Sequence, residues 1–355
     1  MSEISFQTIK RETAVSIPDE LVFGRNFTDH VFEMDYNPAK GWHNPVIKKY
    51  DSLSMDPAAM VLHYGQAVFE GLKAYKQVDG KIALFRPEKN IARLNNSNRR
   101  MCIPEVDEKF VLKALLELIK VEKDWIPTKE GHSLYIRPFI FANDPFLGVK
   151  ASDVYKLMII LSPVGPYYPE GFKPVPIMVT EDYVRAVRKG IGECKAAANY
   201  AASLMAQVEA KKLGYSQVLW LDGVEQKYIE EVGTMNIFIQ LNDEVVTPML
   251  NGSILPGITR MSTLEILRDW DYNINERMIS IDEVMDAHYN GRLVEIFGTG
   301  TAAVISAVSK LKYRDLEIKF NENEAGELSK KLYAELTGIQ YGTKEDKFGW
   351  ITHLD

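Results

Sequence analysis

Between two apolar runs, the segment Ser162–Pro176 (SPVGPYYPEGFKPVP) carries five prolines and two glycines. Proline lacks the amide that helices and sheet ladders use and fixes φ, so neither a helix nor a central strand can run through this stretch. A chain of 355 residues has material for two cores. The break between them is expected here: a first domain over 1–163, a linker over 164–176 and a second domain over 177–355.

Before the break the pattern mixes helix and strand. Phe110 to Trp125 carries Leu112, Leu115, Leu116 and Ile119 at helical spacing. VLHYGQAVFEGLKAY leads to a hairpin signal at Asp79-Gly80 and then the strand KIALF; SLYIRPFIF and KLMIILS read as further strands. After the break VPIMVTEDY reads as a strand, and an Ala-rich helix follows that Gly214 closes. QVLWLD and MNIFIQL are strands, with a turn at Asn242-Asp243. Pro256-Gly257 opens a helix toward Trp270, LVEIFGTGTAAVISAV holds two strands around a glycine-rich turn, and a last helix covers Glu324 to Leu336. Without regular βαβ alternation, the expected class is α+β with antiparallel content.

Composition narrows the partners. A net charge of -7 is unsuited to a phosphate backbone, so no nucleic acid is expected. Cys102 and Cys194 are far apart and match no metal spacing, so neither a disulfide framework nor a zinc site is expected. MSEISFQTIKRE has no apolar h-region, and Glu3 and Glu12 do not suit a transit peptide; no window approaches a membrane span. The sequons at Asn26, Asn95 and Asn251 then carry little weight, and a cytoplasmic location is expected.

The chemistry concentrates in a few places. Lys195 lies among small residues in CKAAANYAASL, where burial would favour a free amine able to attack a carbonyl. Tyr200 stands where a phenol could reach a cofactor oxygen. Downstream, YIEEVGTMNIF offers Glu230 or Glu231, one expected to point inward and one outward, as a partner for a protonated ring nitrogen. Gly233-Thr234 then allows close backbone approach. A Schiff-base lysine and an acid for a pyridinium are what pyridoxal phosphate requires. LPGITR presents the amides of Ile258 and Thr259 at a helix start, suited to phosphate. FGTGTAA loosely fits a dinucleotide fingerprint, but the alternating β-branched VISAV after it supplies no helix N-terminus. A second cradle of backbone amides fits better. Arg93, near Arg99 and Arg100, is a candidate phosphate clamp. A charge-assisted hydrogen bond contributes roughly 1.5–3 kcal/mol, against about 0.3–1 kcal/mol for an exposed helix terminus. Phe23, Tyr64, Phe69, Tyr135 and Tyr167 read first as core aromatics. Arg137, inside an apolar strand, needs a partner that the neighbouring sequence does not make obvious.

Together FTDH, LHYGQAVFEGLKAY, SLYIRP, LSPVGPYY, CKAAANYAASL, QVLWLDG, EVGTMN, LPGITR, FGTGTA and IQYG closely resemble the branched-chain amino acid aminotransferases, over nearly the whole chain. The resemblance implies a two-domain fold type IV enzyme using pyridoxal 5'-phosphate. Its small N-terminal α/β domain would precede a larger C-terminal domain with a β-barrel-like core. Lys195 would be the catalytic covalent anchor, Tyr200 would contact the ring oxygen, and Glu231 would bind the pyridine nitrogen. Arg93, Ile258, Thr259 and Thr301 would hold the phosphate, with Thr234 also at the cofactor. The amides of Thr301 and Ala302 would meet the substrate carboxylate. Phe23, Phe69, Tyr135 and Thr234 would line an apolar pocket, and Arg137 would meet glutamate's distal carboxylate. Tyr64, Leu147 and Val149 would enter the pocket of the other subunit of a homodimer. The implied reaction moves the amino group of leucine, isoleucine or valine to 2-oxoglutarate by a ping-pong route. Some animal members carry a redox-sensitive cysteine pair where this chain has Ala303 and Ser306, so no thiol switch is expected there.

The rival readings are a D-amino acid aminotransferase or aminodeoxychorismate lyase, a nicotinamide-dependent dehydrogenase resting on FGTGTAA, and a non-catalytic binding protein that has kept the fold.

Overall fold

A computed structural model describes residues 3–9, 15–166 and 172–354; Glu12, Tyr167 and the linker residues 167–171 lie outside the described residues. The chain divides into two compact units. One comprises Met1–Tyr167, Cys194–Ala198 and Gly338–Asp355, the other Tyr168–Glu193 and Asn199–Thr337.

Strands β1 (Ser5–Gln7), β2 (His30–Asn37), β3 (Gly41–Lys49), β4 (Ala67–Phe69), β5 (Leu72–Lys76), β6 (Ile82–Phe85), β7 (Ser133–Ala142) and β8 (Tyr155–Val164) build the first unit's sheet. Helices α1 (Met60–Tyr64), α2 (Pro87–Arg100) and α3 (Glu108–Val121) belong to the same unit. The strand order is β1-β3-β2-β8-β7-β5-β6, with β4 also on β7. The hairpin expected at Asp79-Gly80 joins β5 to β6, and Gly80 adopts the φ of +86° such a turn requires. α3 starts because the Asp107 side chain accepts the Phe110 amide at 3.0 Å. It buries Val111, Ala114, Leu115, Leu118 and Ile119, a wider stripe than the leucines alone indicated, alongside Phe32, Met34, Ile47 and Ile136 of the sheet. Each of the larger side chains among them contributes about 1.5–3 kcal/mol by leaving water.

The second unit opens with β9 (Val175–Val179). The Ala-rich helix comes in two pieces, α4 (Ala197–Ala202) and α5 (Leu204–Lys212), and Gly214 follows with φ +84°. Then come β10 (Gln217–Leu221), β11 (Ile229–Val232), β12 (Met235–Leu241), β13 (Val245–Pro248), α6 (Ile258–Asp269), β14 (Ile274–Arg277) and α7 (Ile281–Tyr289). β15 (Leu293–Gly300), β16 (Val304–Tyr313), β17 (Leu316–Lys319) and α8 (Glu327–Tyr341) complete that stretch of the chain. Pairing runs β11-β10-β9-β16-β15-β12, and β12 pairs back onto β11, so these strands form a closed ring. This is the barrel-like core that the resemblance implied. Closure removes sheet edges and stiffens every strand that carries a functional side chain. Its wall is apolar inside, with Ile177, Leu219, Ile237, Ile239, Ile296 and Leu311 fully or nearly fully buried.

Two segments expected in the C-terminal domain belong instead with the first unit. Cys194–Ala198 joins it because Ala196 bridges Val68 and the Lys195 carbonyl accepts the Phe69 amide at 3.0 Å. Gly338–Asp355 joins it because β18 (Ile351–His353) pairs with β6. Among the described residues no helix is long and apolar enough to cross a membrane.

Candidate functional site

In the first unit, β4 and β7 are hydrogen-bonded neighbours and bring Phe69, Tyr135 and Arg137 to one place. Lys195 lies just before α4, in extended backbone tied to β4. Its amide donates to Ser97 Oγ at 3.0 Å, and its Nζ stands 4.9 Å from the centre of the Phe69 ring. Lys195 is half-buried rather than sealed. The lysine that burial alone depresses, to about 8, is Lys73 on β5.

Arg137 finds the partner that the sequence left open only two residues away, since alternation along β7 puts Tyr135 on the same face. Its Nη2 donates to the Tyr135 hydroxyl at 3.1 Å, and its guanidinium lies 4.5 Å from the Phe69 ring centre. Its buried Nε has no hydrogen-bond partner. Phe23 meets Tyr135 edge-on at 4.8 Å. Two aromatic rings, Phe69 and Tyr135, thus flank the Arg137 cation, and Phe23 backs one of them. Gly71 is required here because a Cβ would come within 2.1 Å of the Tyr135 hydroxyl.

Arg93, on the buried face of α2, does not stand alone. Its Nε and Nη2 donate to the two oxygens of Glu70 at 2.8 and 2.9 Å, a bidentate pair. Glu70 also accepts from Asn90 Nδ2 at 2.8 Å and from the Gly71 amide at 3.1 Å. Burial pushes the Glu70 carboxyl up. The charges of Arg93 and Lys195 and the bonds from Arg93 and Asn90 outweigh it, so its pKa is lowered. Sequence reasoning missed Glu70, although an acid between Phe69 and Gly71 in an apolar stretch was a visible signal.

Tyr64 is 40% exposed and donates to the Leu147 carbonyl; Leu147 is 61% and Val149 85% exposed. All three are exposed, and none is placed in contact with Arg137.

In the second unit, Glu231 sits on β11, paired on one side with Trp220 of β10 and on the other with Asn236 of β12. Asn236 in turn opposes Thr299 of β15. Directly opposed residues share a face, so Glu231, Asn236 and Thr299 form a row across the barrel wall. Glu231 Oε1 accepts the Leu255 amide at 2.8 Å, and Asn236 Nδ2 donates to the Leu255 carbonyl at 2.8 Å. Both backbone groups of Leu255 are thereby clamped just ahead of α6. Gly257 must follow, because a Cβ there would meet Asn236 Oδ1 at 1.9 Å. The clamp fixes the helix start, where the amides of Ile258 and Thr259 have no intrahelical acceptor.

Arg185 is a second residue that sequence reasoning missed. Its Nε lies 3.3 Å from Glu231 Oε2, and its Nη2 donates to the Ser253 carbonyl. Both glutamates of the pair are buried, Glu230 at 2% and Glu231 at 3% exposure, so neither is the solvated one expected. Thr234 is exposed in the two-residue turn between β11 and β12, where Gly233 has φ +57°. Thr301 and Ala302, half-buried, form the turn between β15 and β16. A strand follows that turn, which removes the dinucleotide reading. Tyr200, half-buried, lies on α4.

Residues 67–311 match the model of the family described as amino-transferase class IV. The chain is 60% identical over 337 residues to branched-chain-amino-acid aminotransferase 2 of Bacillus subtilis, covering 95% of this chain and 93% of that protein. It is 45% identical to a branched-chain-amino-acid aminotransferase of Mycolicibacterium smegmatis, over 97% of this chain and 94% of that one. Among solved structures, the Escherichia coli branched-chain amino acid aminotransferase superposes with a TM-score of 0.77 at 26% identity, covering 92% of this chain and all of that one.

Proposed function

Because the chain belongs to the class IV aminotransferases and is a branched-chain-amino-acid aminotransferase, we propose that its two residue groups divide the work of a pyridoxal 5'-phosphate transaminase. The donor is leucine, isoleucine or valine, the acceptor 2-oxoglutarate, and the route ping-pong. The residues fit the cofactor. Glu231 is a buried carboxylate, positioned by the Leu255 amide and Arg185, and a carboxylate is the group that can accept from a protonated ring nitrogen. The same clamp launches a helix whose first amides suit a phosphate. Bound pyridoxal phosphate supplies the electron sink for the substrate's α-carbon.

Each residue then has a chemical task. Lys195 supplies the primary amine and moves the proton at the α-carbon. Glu231 holds a proton on the ring nitrogen, and Tyr200 donates to the ring oxygen. Arg93, oriented by Glu70, binds phosphate together with Ile258, Thr259 and Thr301, and Thr234 lies at the cofactor's edge. The amides of Thr301 and Ala302 receive the substrate carboxylate. Phe23, Phe69 and Tyr135 exclude water from the aliphatic side chain, and Arg137 receives the second carboxylate of 2-oxoglutarate. Tyr64, Leu147 and Val149 reach the pocket of the partner in a cytoplasmic homodimer, which accounts for their exposure.

The observation that carries the substrate reading is the Arg137 guanidinium set between the Phe69 and Tyr135 rings. Such a pocket takes an apolar chain without ionic cost and a dicarboxylate with an ionic gain. Two measurements test the proposal. The purified protein should absorb in the visible and be bleached by borohydride, and Lys195→Ala should lose both the colour and at least about 10²–10⁴-fold of the turnover. Wild-type-like turnover by that variant overturns the assignment. Mixing inactive Lys195→Ala with impaired Tyr64→Ala subunits should restore activity if Tyr64 serves the partner's pocket, and should not if it serves its own.

A further inference from the structure

Glu230 is assigned no task by the mechanism above, yet it is a carboxyl buried next to one that must stay charged. Its Oε1 contacts Ser253 Oγ, and its Oε2 is buried with no hydrogen-bond partner. Ser253 Oγ also lies 2.6 Å from Asn251 Oδ1. The orientation of that amide is fixed, because Asn251 Oδ1 accepts the Ser253 backbone amide at 3.1 Å. Ser253 Oγ therefore faces two acceptor-type oxygens while a hydroxyl has one proton to give. One proton cannot serve both contacts, and a proton on the Glu230 carboxyl satisfies the pair at once.

We propose that Glu230 is a carboxylic acid in the working protein, donating its proton to Ser253 Oγ, and that its neutrality leaves the Arg185 charge to Glu231. It is a positioning residue for the ring-binding carboxylate. Of the charged groups around it, Arg185 favours the anion, but its ion pair is with Glu231, at 3.3 Å. Asp222, held as an anion by the backbone amides of Val224, Glu225, Lys227 and Tyr228, adds repulsion, as does Glu231 itself. Burial, the largest cause, raises the pKa of Glu230. Two adjacent carboxyls with environments that split their proton affinities are the usual way one site keeps both an acid and an anion. The sequon Asn251-Gly252-Ser253 is then explained as the turn that builds this relay, with Gly252 at φ +96°.

The proposal rests on Glu231 being the ring nitrogen's partner, but its test is separable from that reading. In cofactor-free protein at neutral pH, the infrared difference between wild type and Glu230→Gln should contain the carbonyl stretch of a protonated acid. A difference holding only ionised-carboxylate bands overturns the proposal. A group whose folded pKa is raised gives stability that is present below its unfolded pKa and lost as pH rises to the folded value. The unfolding constant of wild type relative to Glu230→Gln should therefore grow by about tenfold per pH unit upward from the ordinary glutamate range, levelling once Glu230 ionises in the folded protein. A pH-independent ratio counts against it.

For the positioning role, pyridoxal phosphate retention by wild type should weaken toward alkaline pH, and Glu230→Gln should lack that limb. Identical limbs reduce Glu230 to a structural acid. If Glu230→Gln fails to fold, Ser253→Ala removes the acceptor, and the acid's carbonyl stretch should shift without disappearing; an unchanged band refutes the hydrogen bond. Failure of Glu231→Gln to slow transamination would overturn the ring-nitrogen reading and leave the infrared result standing.

Discussion

Among the described residues each unit holds one buried glutamate–arginine pair, and the two are built differently. In Glu70–Arg93 the carboxylate is saturated: two bonds from the arginine, one from Asn90 and one from the Gly71 amide. In Glu231–Arg185 the guanidinium stands 3.3 Å from one carboxylate oxygen, the other oxygen accepts the Leu255 amide, and the arginine turns its Nη2 to the Ser253 carbonyl. The first pair is a bidentate fork whose two members are fixed to each other; the second is a single contact in which each member is also tied to the backbone just ahead of α6.

The largest expected effect falls on the second pair. Glu231→Gln should keep the cofactor bound yet slow transamination by about two to four orders of magnitude, the range for a positioned proton-holding group. A loss of only severalfold, measured at saturating cofactor, would break the contrast by making the Glu231 carboxylate as structural as that of Glu70.

Removing one member of the saturated pair should act on folding. Glu70→Gln leaves the Arg93 charge buried without its counter-ion, at a cost of about 3–5 kcal/mol in denaturant unfolding. The sign of the pH effect sharpens this. Because the Glu70 pKa is lowered in the folded protein, its contribution is present above the ordinary glutamate value and is lost as pH falls toward the folded value. Wild type should lose stability on acidification across that window and Glu70→Gln should not. An acid limb retained by the variant would show that Glu70 is not held as the anion.

The smallest expected effect is at Arg137, which has a hydroxyl and two rings around it but no carboxylate partner among the contacts given above. Arg137→Leu should slow the 2-oxoglutarate half-reaction by about tenfold, one charge-assisted hydrogen bond, and spare the leucine half. Equal losses in single-turnover measurements of both halves would move Arg137 to the structural side with Glu70.

What the sequence disclosed follows the range of the interaction involved. The hairpin at Asp79-Gly80, the helix expected over Phe110 to Trp125 and found over Glu108–Val121, and the turn after Gly300 depend on neighbours a few residues away, and local pattern showed them, though not the Asp107 cap. Tyr135 as the partner of Arg137 was also within reach, since strand alternation puts both on one face. The clamp of Asn236 and Glu231 on Leu255, the partnership of Glu70 with Arg93 and that of Arg185 with Glu231 join residues far apart in sequence. No local pattern encodes them. Burial of both Glu230 and Glu231 was hidden for a related reason: adjacent strand residues face opposite ways, and only a turn from elsewhere in the chain, Asn251 to Ser253, covers the second.

The Lys195 segment bridges β4, and β18 pairs with β6, so the first unit is assembled from parts that lie on either side of most of the second in the order of synthesis. Its sheet cannot be finished when its own strands β1 to β8 have been made. Until then β6 presents an unpaired edge, the kind that recruits strands from other chains. The contacts that complete the unit are of long sequence separation, which slows folding. The Lys195 segment can dock on β4 as soon as residue 198 has been made, whereas the edge of β6 stays open until Ile351–His353 follows.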